Sequence, residues 1–432
     1  MGNIYDISDI AIAYLSSQNG VMGDVIVSES ETHEITMKDG KFTLFRTMFD
    51  ETVFTKVIKD NKKGTSSINE LTREAVEKAI DDAIVSAEAG EPDACYDLAP
   101  GFEEKKYEMG VLEPDIDKLI ERTKELADAI AEKHKKIKLI ELYTRYVRTT
   151  DIYRNTNGSK EEKQYGAYEV LVEFAGNDGE NSTGVAGSSV VFDSLDKELI
   201  TLGNIEKDLT DTENSLNPIT IKDKFEGDVI LTPDCAAQLL TSLIRVGADD
   251  GNIIDKTSLW YDKLGQQVAS PLLTVSSNTW DERIIDHETH TEDGFVSEDY
   301  TVIEKGVLKS YTISLFAANK TGFERAKNSA WNAVVEPGDT SYEDMVKSIK
   351  KGLIIGYVSC GFPSANGEIS GVVKNSFYVE NGEIKSSVIE TMISGNLFDM
   401  FKNIKAISKE QLCDGRMVMP NIMVGNVTIS GN

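Results

Sequence analysis

The run Gly361 to Leu397, GFPSANGEISGVVKNSFYVENGEIKSSVIETMISGNL, restricts what this chain can fold into more than any other stretch. Ser376 to Val379 alternates polar residues with aromatic or branched ones, Glu380-Asn381-Gly382 supplies a tight turn, and Ile384, Val388 and Ile389 resume the apolar pattern. Asn-Gly accepts the positive φ angles of a two-residue primed turn, so the pattern predicts a β-hairpin. Upstream, Asn366-Gly367 and Ser370-Gly371 set two glycines four residues apart beside a strand. Turns alone account for such glycines; a backbone that lets another chain come close is the second reading.

The chain has 432 residues, 40% of them hydrophobic, which fits a folded protein of two or three domains. Its 73 acidic side chains against 45 basic ones give a formal net charge of −28. Phosphate backbones and anionic lipid surfaces are repelled by such a chain, so direct nucleic-acid binding is not expected. Solubility accounts for the acidity itself. The cysteines Cys95, Cys235, Cys360 and Cys413 lack CxxC spacing and indicate neither a disulfide scaffold nor a zinc ribbon. The start MGNIYDISDIAIAYL has no basic leader or small-residue cleavage site, and no apolar run reaches membrane-spanning length. A cytoplasmic location is the expectation.

In chain order, Ile4 to Ser17 reads as a helix and Val25 to Ile58 as strands turning at Lys38-Asp39-Gly40. Asn69 to Glu88 and Asp115 to Lys135 carry apolar residues at three-and-four spacing and are predicted amphipathic helices. Ile137 to Val172 reads as a long strand region. Asp208 to Gly227 mixes turn residues between apolar runs and is the expected domain boundary. Beyond it, Asp228 to Leu231 reads as a strand, Pro233 to Val246 as a helix with proline in its first turn, and Tyr300 to Tyr311 as a hairpin. A helix is expected from Tyr342 to Lys351. The expectation is an α+β protein, with an N-terminal mixed α/β domain over 1–215 and a predominantly antiparallel β domain over 216–432.

Three phrases in the C-terminal run occur in order: Ser364-Ala365-Asn366-Gly367-Glu368-Ile369-Ser370-Gly371, then Val379-Glu380-Asn381-Gly382-Glu383-Ile384, then Thr391-Met392-Ile393-Ser394-Gly395-Asn396-Leu397. They resemble the phrases N-x-x-T-G-D-F-S-x-G, I-E-N-G-E-I and T-I-x-G-N-L of the TldD/TldE family, whose second member is also called PmbA. Asn61 to Gly90 resembles that family's glycine-then-helix segment, and Glu91 to Pro100 its D-x-x-x-x-L-x-P loop, so the resemblance spans nearly the whole chain. The family has carried a gyrase-modulator label, which the charge balance does not support as direct DNA binding.

In the TldD branch a helix carries His-Glu-x-x-x-His, two zinc ligands and a general base. Aligning the double leucine Leu239-Leu240 sets Thr241, Ser242 and Val246 at those three positions, and none of them supplies that chemistry. With His33, His134, His287 and His290 as the histidines, no pair stands five or four apart. Cys413 lies in a phrase, Leu412 to Met419, resembling the place where TldD supplies a cysteine ligand. His287-Glu288-Thr289-His290 packs imidazoles beside carboxylates, but Gly294 and the polar run suggest a solvated acidic loop, and Glu292-Asp293-Gly294 resembles the family's D-D-E-G phrase. His287, His290 and Cys413 are thus weak metal candidates. No G-x-S-x-G elbow, phosphate loop or dinucleotide fingerprint is present.

The resemblance implies a TldE/PmbA-like, non-catalytic subunit with no cofactor of its own. Its partner would be a zinc-bearing TldD-like metalloprotease subunit, in a complex that processes or degrades unfolded peptides. Two alternatives stay open: a divergent zinc peptidase using His287, His290 and Cys413, and a homo-oligomeric peptide-binding protein without a catalytic partner. Association as a homo- or heterodimer is expected. A sheet edge at Asn366, Gly367, Ser370 and Gly371 would let an extended peptide approach main chain to main chain. On that view exchange of Gly371 for Val leaves the fold intact and weakens peptide turnover.

Overall fold

The computed structural model describes residues 3–431. The chain opens with α1 (Ile4–Ser17), its first turn capped by the Asn3 side chain accepting from the Tyr5 amide. β1 (Val21–Lys38) and β2 (Lys41–Lys59) form a long hairpin. It turns at Asp39-Gly40, where both residues have positive φ (47° and 72°), as a two-residue primed turn requires. Then come β3 (Lys62–Ile68), α2 (Arg73–Ala89), β4 (Lys105–Gly110) and α3 (Ile116–Lys133). β5 (Ile137–Asn155), β6 (Lys160–Gly176), β7 (Ala186–Phe192) and α4 (Ile205–Asn214) complete this part.

Among the described residues these strands form one sheet in the order β3-β2-β1-β5-β6-β4, with β7 also on β6. All pairings are antiparallel except β4 with β6. All three long helices lie on one face. Val25 and Val27 of β1 share a core with α1 and α2, while Ile35 and Met37, on the same side of the pleat, share another with α3. The alternate positions, among them Asp24, Tyr153 of β5 and Glu161 of β6, form the opposite, polar face, which receives a loop from the second half of the chain.

The second sheet begins with β8 (Ile219–Thr220) and β9 (Phe225–Leu231), followed by α5 (Pro233–Ala248). It has fourteen strands among the described residues and is mostly antiparallel, with parallel joins of β9 to Lys351–Ile355, of Ala333–Val335 to Val418–Ser430, and of β8 to Glu383–Ile389. β9 is interior, between Lys351–Ile355 and Val418–Ser430. Its continuous apolar run Val229-Ile230-Leu231 is fully buried, as a strand covered on both faces requires. α5 buries Cys235, Ala236, Leu239, Leu240, Leu243 and Ile244 on the largest core. The architecture is α+β.

Two expectations gain detail at this level. The expected boundary at Asp208 to Gly227 starts inside α4, because Leu209 and Thr212 are buried and carry the helix to Asn214 before β8 and β9 begin. The strand region from Ile137 is a hairpin of two strands, closed through Thr156 to Ser159.

Candidate functional site

α5 starts as its sequence dictates, with Thr232 as the residue before the helix and Pro233 in the first turn. Its Thr241 and Ser242 are half-buried and Val246 is buried, 7% exposed. The Ser242 hydroxyl donates back to the Gln238 carbonyl one turn earlier (2.9 Å). The Thr241 hydroxyl accepts from the Trp331 indole N–H (3.1 Å). Trp331 has a positive φ of 50°, uncommon for a bulky residue, and this aims the indole at the helix. Gln238 turns its amide to the strand Tyr357–Cys360, donating to the Val358 carbonyl (2.7 Å) and accepting from its amide (3.1 Å), so a side chain closes that strand's outer edge.

The weak metal candidates are held apart. His287 Nδ1 meets the Thr279 carbonyl, and its ring stacks on Trp280 with centroids 5.5 Å apart. His290 points to the N-terminal sheet, where Nδ1 meets Glu161 Oε1 at 2.8 Å and the ring stacks on Tyr153 at 4.3 Å. Cys413 Sγ donates to the Arg283 carbonyl (3.2 Å) and accepts from the Gly415 amide (3.3 Å). Burial pushes its thiol up, away from the thiolate that a metal would take. Among the described residues no three His, Cys, Asp or Glu side chains converge as a ligand set. Thr241, Ser242 and Val246 offer no zinc donor set, and His287, His290 and Cys413 are each engaged elsewhere, so these residues do not fit the metal.

The segment His287 to Phe295 serves as a docking loop between the two sheets, which sequence reasoning missed. Glu161, 1% exposed, accepts from the Thr289 hydroxyl and from His290. Lys163 donates to the His287 carbonyl (2.6 Å), and Lys56 to the Glu292 carbonyl (2.6 Å) while pairing with Asp24 at 2.8 Å. Burial pushes the Asp24 and Asp151 carboxyls up, with Lys56 and Lys163 respectively opposing it. Gly294, at φ 87°, lies where a Cβ would meet the Tyr153 hydroxyl at 2.0 Å, so glycine alone lets the loop seat. No local pattern announces this seam, because its partners Lys56, Glu161 and Lys163 are more than a hundred residues away in sequence. Beside it, Lys163, His287, Trp331, Asn332 and Arg416 line a cleft of about 320 Å³.

Asn366, Gly367, Ser370 and Gly371 lie elsewhere, and the expected open edge there is corrected. Ser370 and Gly371 belong to the strand Glu368–Lys374, paired on one side with Tyr357–Cys360 and on the other with Met392–Asn396. At Gly371 both edges are therefore taken by the chain itself, and Ser370 is paired with Ser394 on one of its two sides. Asn366 accepts through its carbonyl from the Asn396 side chain (2.7 Å), whose own oxygen caps the helix Leu397–Lys402. Gly367, at φ 85°, packs on Phe398.

Comparison with known proteins places this architecture. The family description "PmbA/TldA metallopeptidase C-terminal domain" matches residues 225–431, and "PmbA/TldA metallopeptidase domain 1" matches residues 23–87. The chain belongs to the PmbA/TldD family. Relatives in that family include a metalloprotease of Methanocaldococcus jannaschii, 24% identical over 90% of each chain. A metalloprotease PmbA homologue of Haemophilus influenzae is 23% identical over 97% of this chain and 94% of its own. The crystal structure of TldE from Thermococcus kodakarensis superposes with a TM-score of 0.81 at 18% identity, covering 99% of this chain and all of that one, and so shares the fold. No helix among the described residues is long and apolar enough to cross a membrane.

Proposed function

We propose that this chain is the TldE/PmbA-type subunit of a two-component peptidase, non-catalytic by itself and acting with a TldD-like metalloprotease chain. The observation that carries the reading is α5. At the three positions set against His-Glu-x-x-x-His it bears Thr241, engaged by the Trp331 indole, Ser242, bonded back into its own helix, and Val246, buried and without a donor. Zinc and the activated water belong to the partner on this reading. Unfolded peptides are the substrate and the cytoplasm is the site of action.

The experiment is a peptidase assay on an unstructured peptide with each chain alone and with both mixed. Turnover by the mixture, with none by this chain alone, is expected. Turnover by this chain alone, abolished when His287 and His290 become Ala, would replace the reading with that of a divergent peptidase.

A further inference from the structure

The cleft beside the docking loop gathers charges that the fold leaves unused. The exposed Arg416 guanidinium makes one contact among the described residues, a 3.5 Å approach to Glu169, whose carboxylate Arg145 already holds at 2.6 Å. A guanidinium has five donors and bonds a carboxylate best through two of them at once, so most of this one's capacity is open. Asn332, 5% exposed, donates to the Arg416 carbonyl at 3.1 Å and fixes the backbone that carries the guanidinium. Asp286, exposed in the same lining, has a carboxylate that accepts no hydrogen bond and joins no ion pair among the described residues. Burial pushes the Tyr165 hydroxyl up, with Asp286 adding to the shift and Arg416 opposing it, so both unused charges lie near one side chain.

The other charges of the lining are occupied. Lys163 donates to the His287 carbonyl, and Glu288 accepts from the Ser297 hydroxyl and the Ser329 amide. His287 gives its Nδ1 proton to the Thr279 carbonyl, which leaves Nε2 an acceptor that no donor of the described residues serves. One free positive and one free negative group, in a cleft walled by Trp331 and Met417, suit a ligand bearing one charge of each sign. An anion would be repelled by a chain of net charge −28, whereas a zwitterion, neutral overall, would not. A volume of about 320 Å³ stands at the small end of ligand pockets, which limits the ligand to one or two residues in size. We propose that this cleft binds a small zwitterion, an uncapped α-amino acid or dipeptide, with its carboxylate on Arg416 and its ammonium on Asp286 and His287 Nε2. The site belongs to this chain alone and does not depend on the partner-subunit reading.

Titration calorimetry of the purified chain with dialanine, N-acetyl-dialanine and dialanine amide tests it. Dialanine should bind, and each cap should weaken binding by about 10- to 100-fold, because it removes one charged hydrogen-bonding group. In Arg416→Gln the carboxylate has lost its partner, so dialanine and its amide should bind alike. In Asp286→Asn dialanine and its N-acetyl form should converge instead. Both exchanges alter exposed side chains, and the melting curves should stay unchanged. Free alanine, titrated in parallel, sets the length: its binding assigns a single amino acid and its failure beside bound dialanine a dipeptide, and either upholds the zwitterion. No binding of dialanine at millimolar concentration, capped forms that bind as well as dialanine, or cap preferences unaltered in both variants would each overturn the proposal.

Discussion

At Gly371 two strands come so close that an added Cβ would lie 2.7 Å from both the Val358 Cγ1 and the Cys360 Cβ, and 2.8 Å from the Ser359 carbonyl. Gly371→Val must spread this pair, and the expected cost is about 1–3 kcal/mol of overpacking, read as a lower melting temperature of the chain alone. Unchanged stability would show that the strands yield freely. Asp208 makes the second residue-scale prediction. Burial pushes its carboxyl up to about 7, with Asp234 adding to the shift and the Ser188 hydroxyl opposing it. An unfolded aspartate titrates near ~4, so between about pH 4 and 7 the native chain keeps a proton that the unfolded chain has released. Stability therefore falls as pH rises through that window, by up to about 1.4 kcal/mol per unit. Asp208→Asn removes the titration, so melting curves should favour the variant more at pH ~8 than at pH ~5. Parallel curves would contradict the assignment.

Among the elements, the docking loop His287 to Phe295 depends on a few buried bonds. His290→Ala leaves Glu161 held by the Thr289 hydroxyl alone in a nearly solvent-free position. The expected loss is about 1–3 kcal/mol, with faster hydrogen exchange at the loop amides while the cores around α3 and α5 stay protected. Exchange unchanged in the loop would mean that the other anchors suffice. The elements themselves were legible where a local rule sets them. Periodicity located α1, α2, α3 and α5, and turn residues that adopt φ above zero located Asp39-Gly40 and Asn381-Gly382. Hidden from the sequence were pairings made at a distance. The glycines near 371 read as an open edge because nothing local says that Tyr357–Cys360 and Met392–Asn396 close both sides. Likewise the acidic stretch at 286–293 read as solvated because its lysine partners lie in β2 and β6.

On the scale of the whole molecule, the two sheets meet through that loop, and α5 stands in the second sheet's core with its Thr241 against Trp331 and its Gln238 bonded to the strand Tyr357–Cys360. What the sequence made plain here was a lack: four histidines at spacings that cannot build the family's zinc motif. What it hid was how Thr241 is engaged, since Trp331 comes from a loop ninety residues beyond it. The account rests on this chain holding no zinc centre of its own. Its most direct test is the zinc content of the purified chain after equilibration with the metal and dialysis, by elemental analysis. The account predicts far less than one zinc per chain, unchanged when His287, His290 and Cys413 are exchanged for Ala. One tightly held zinc per chain, lost in those variants, would contradict it.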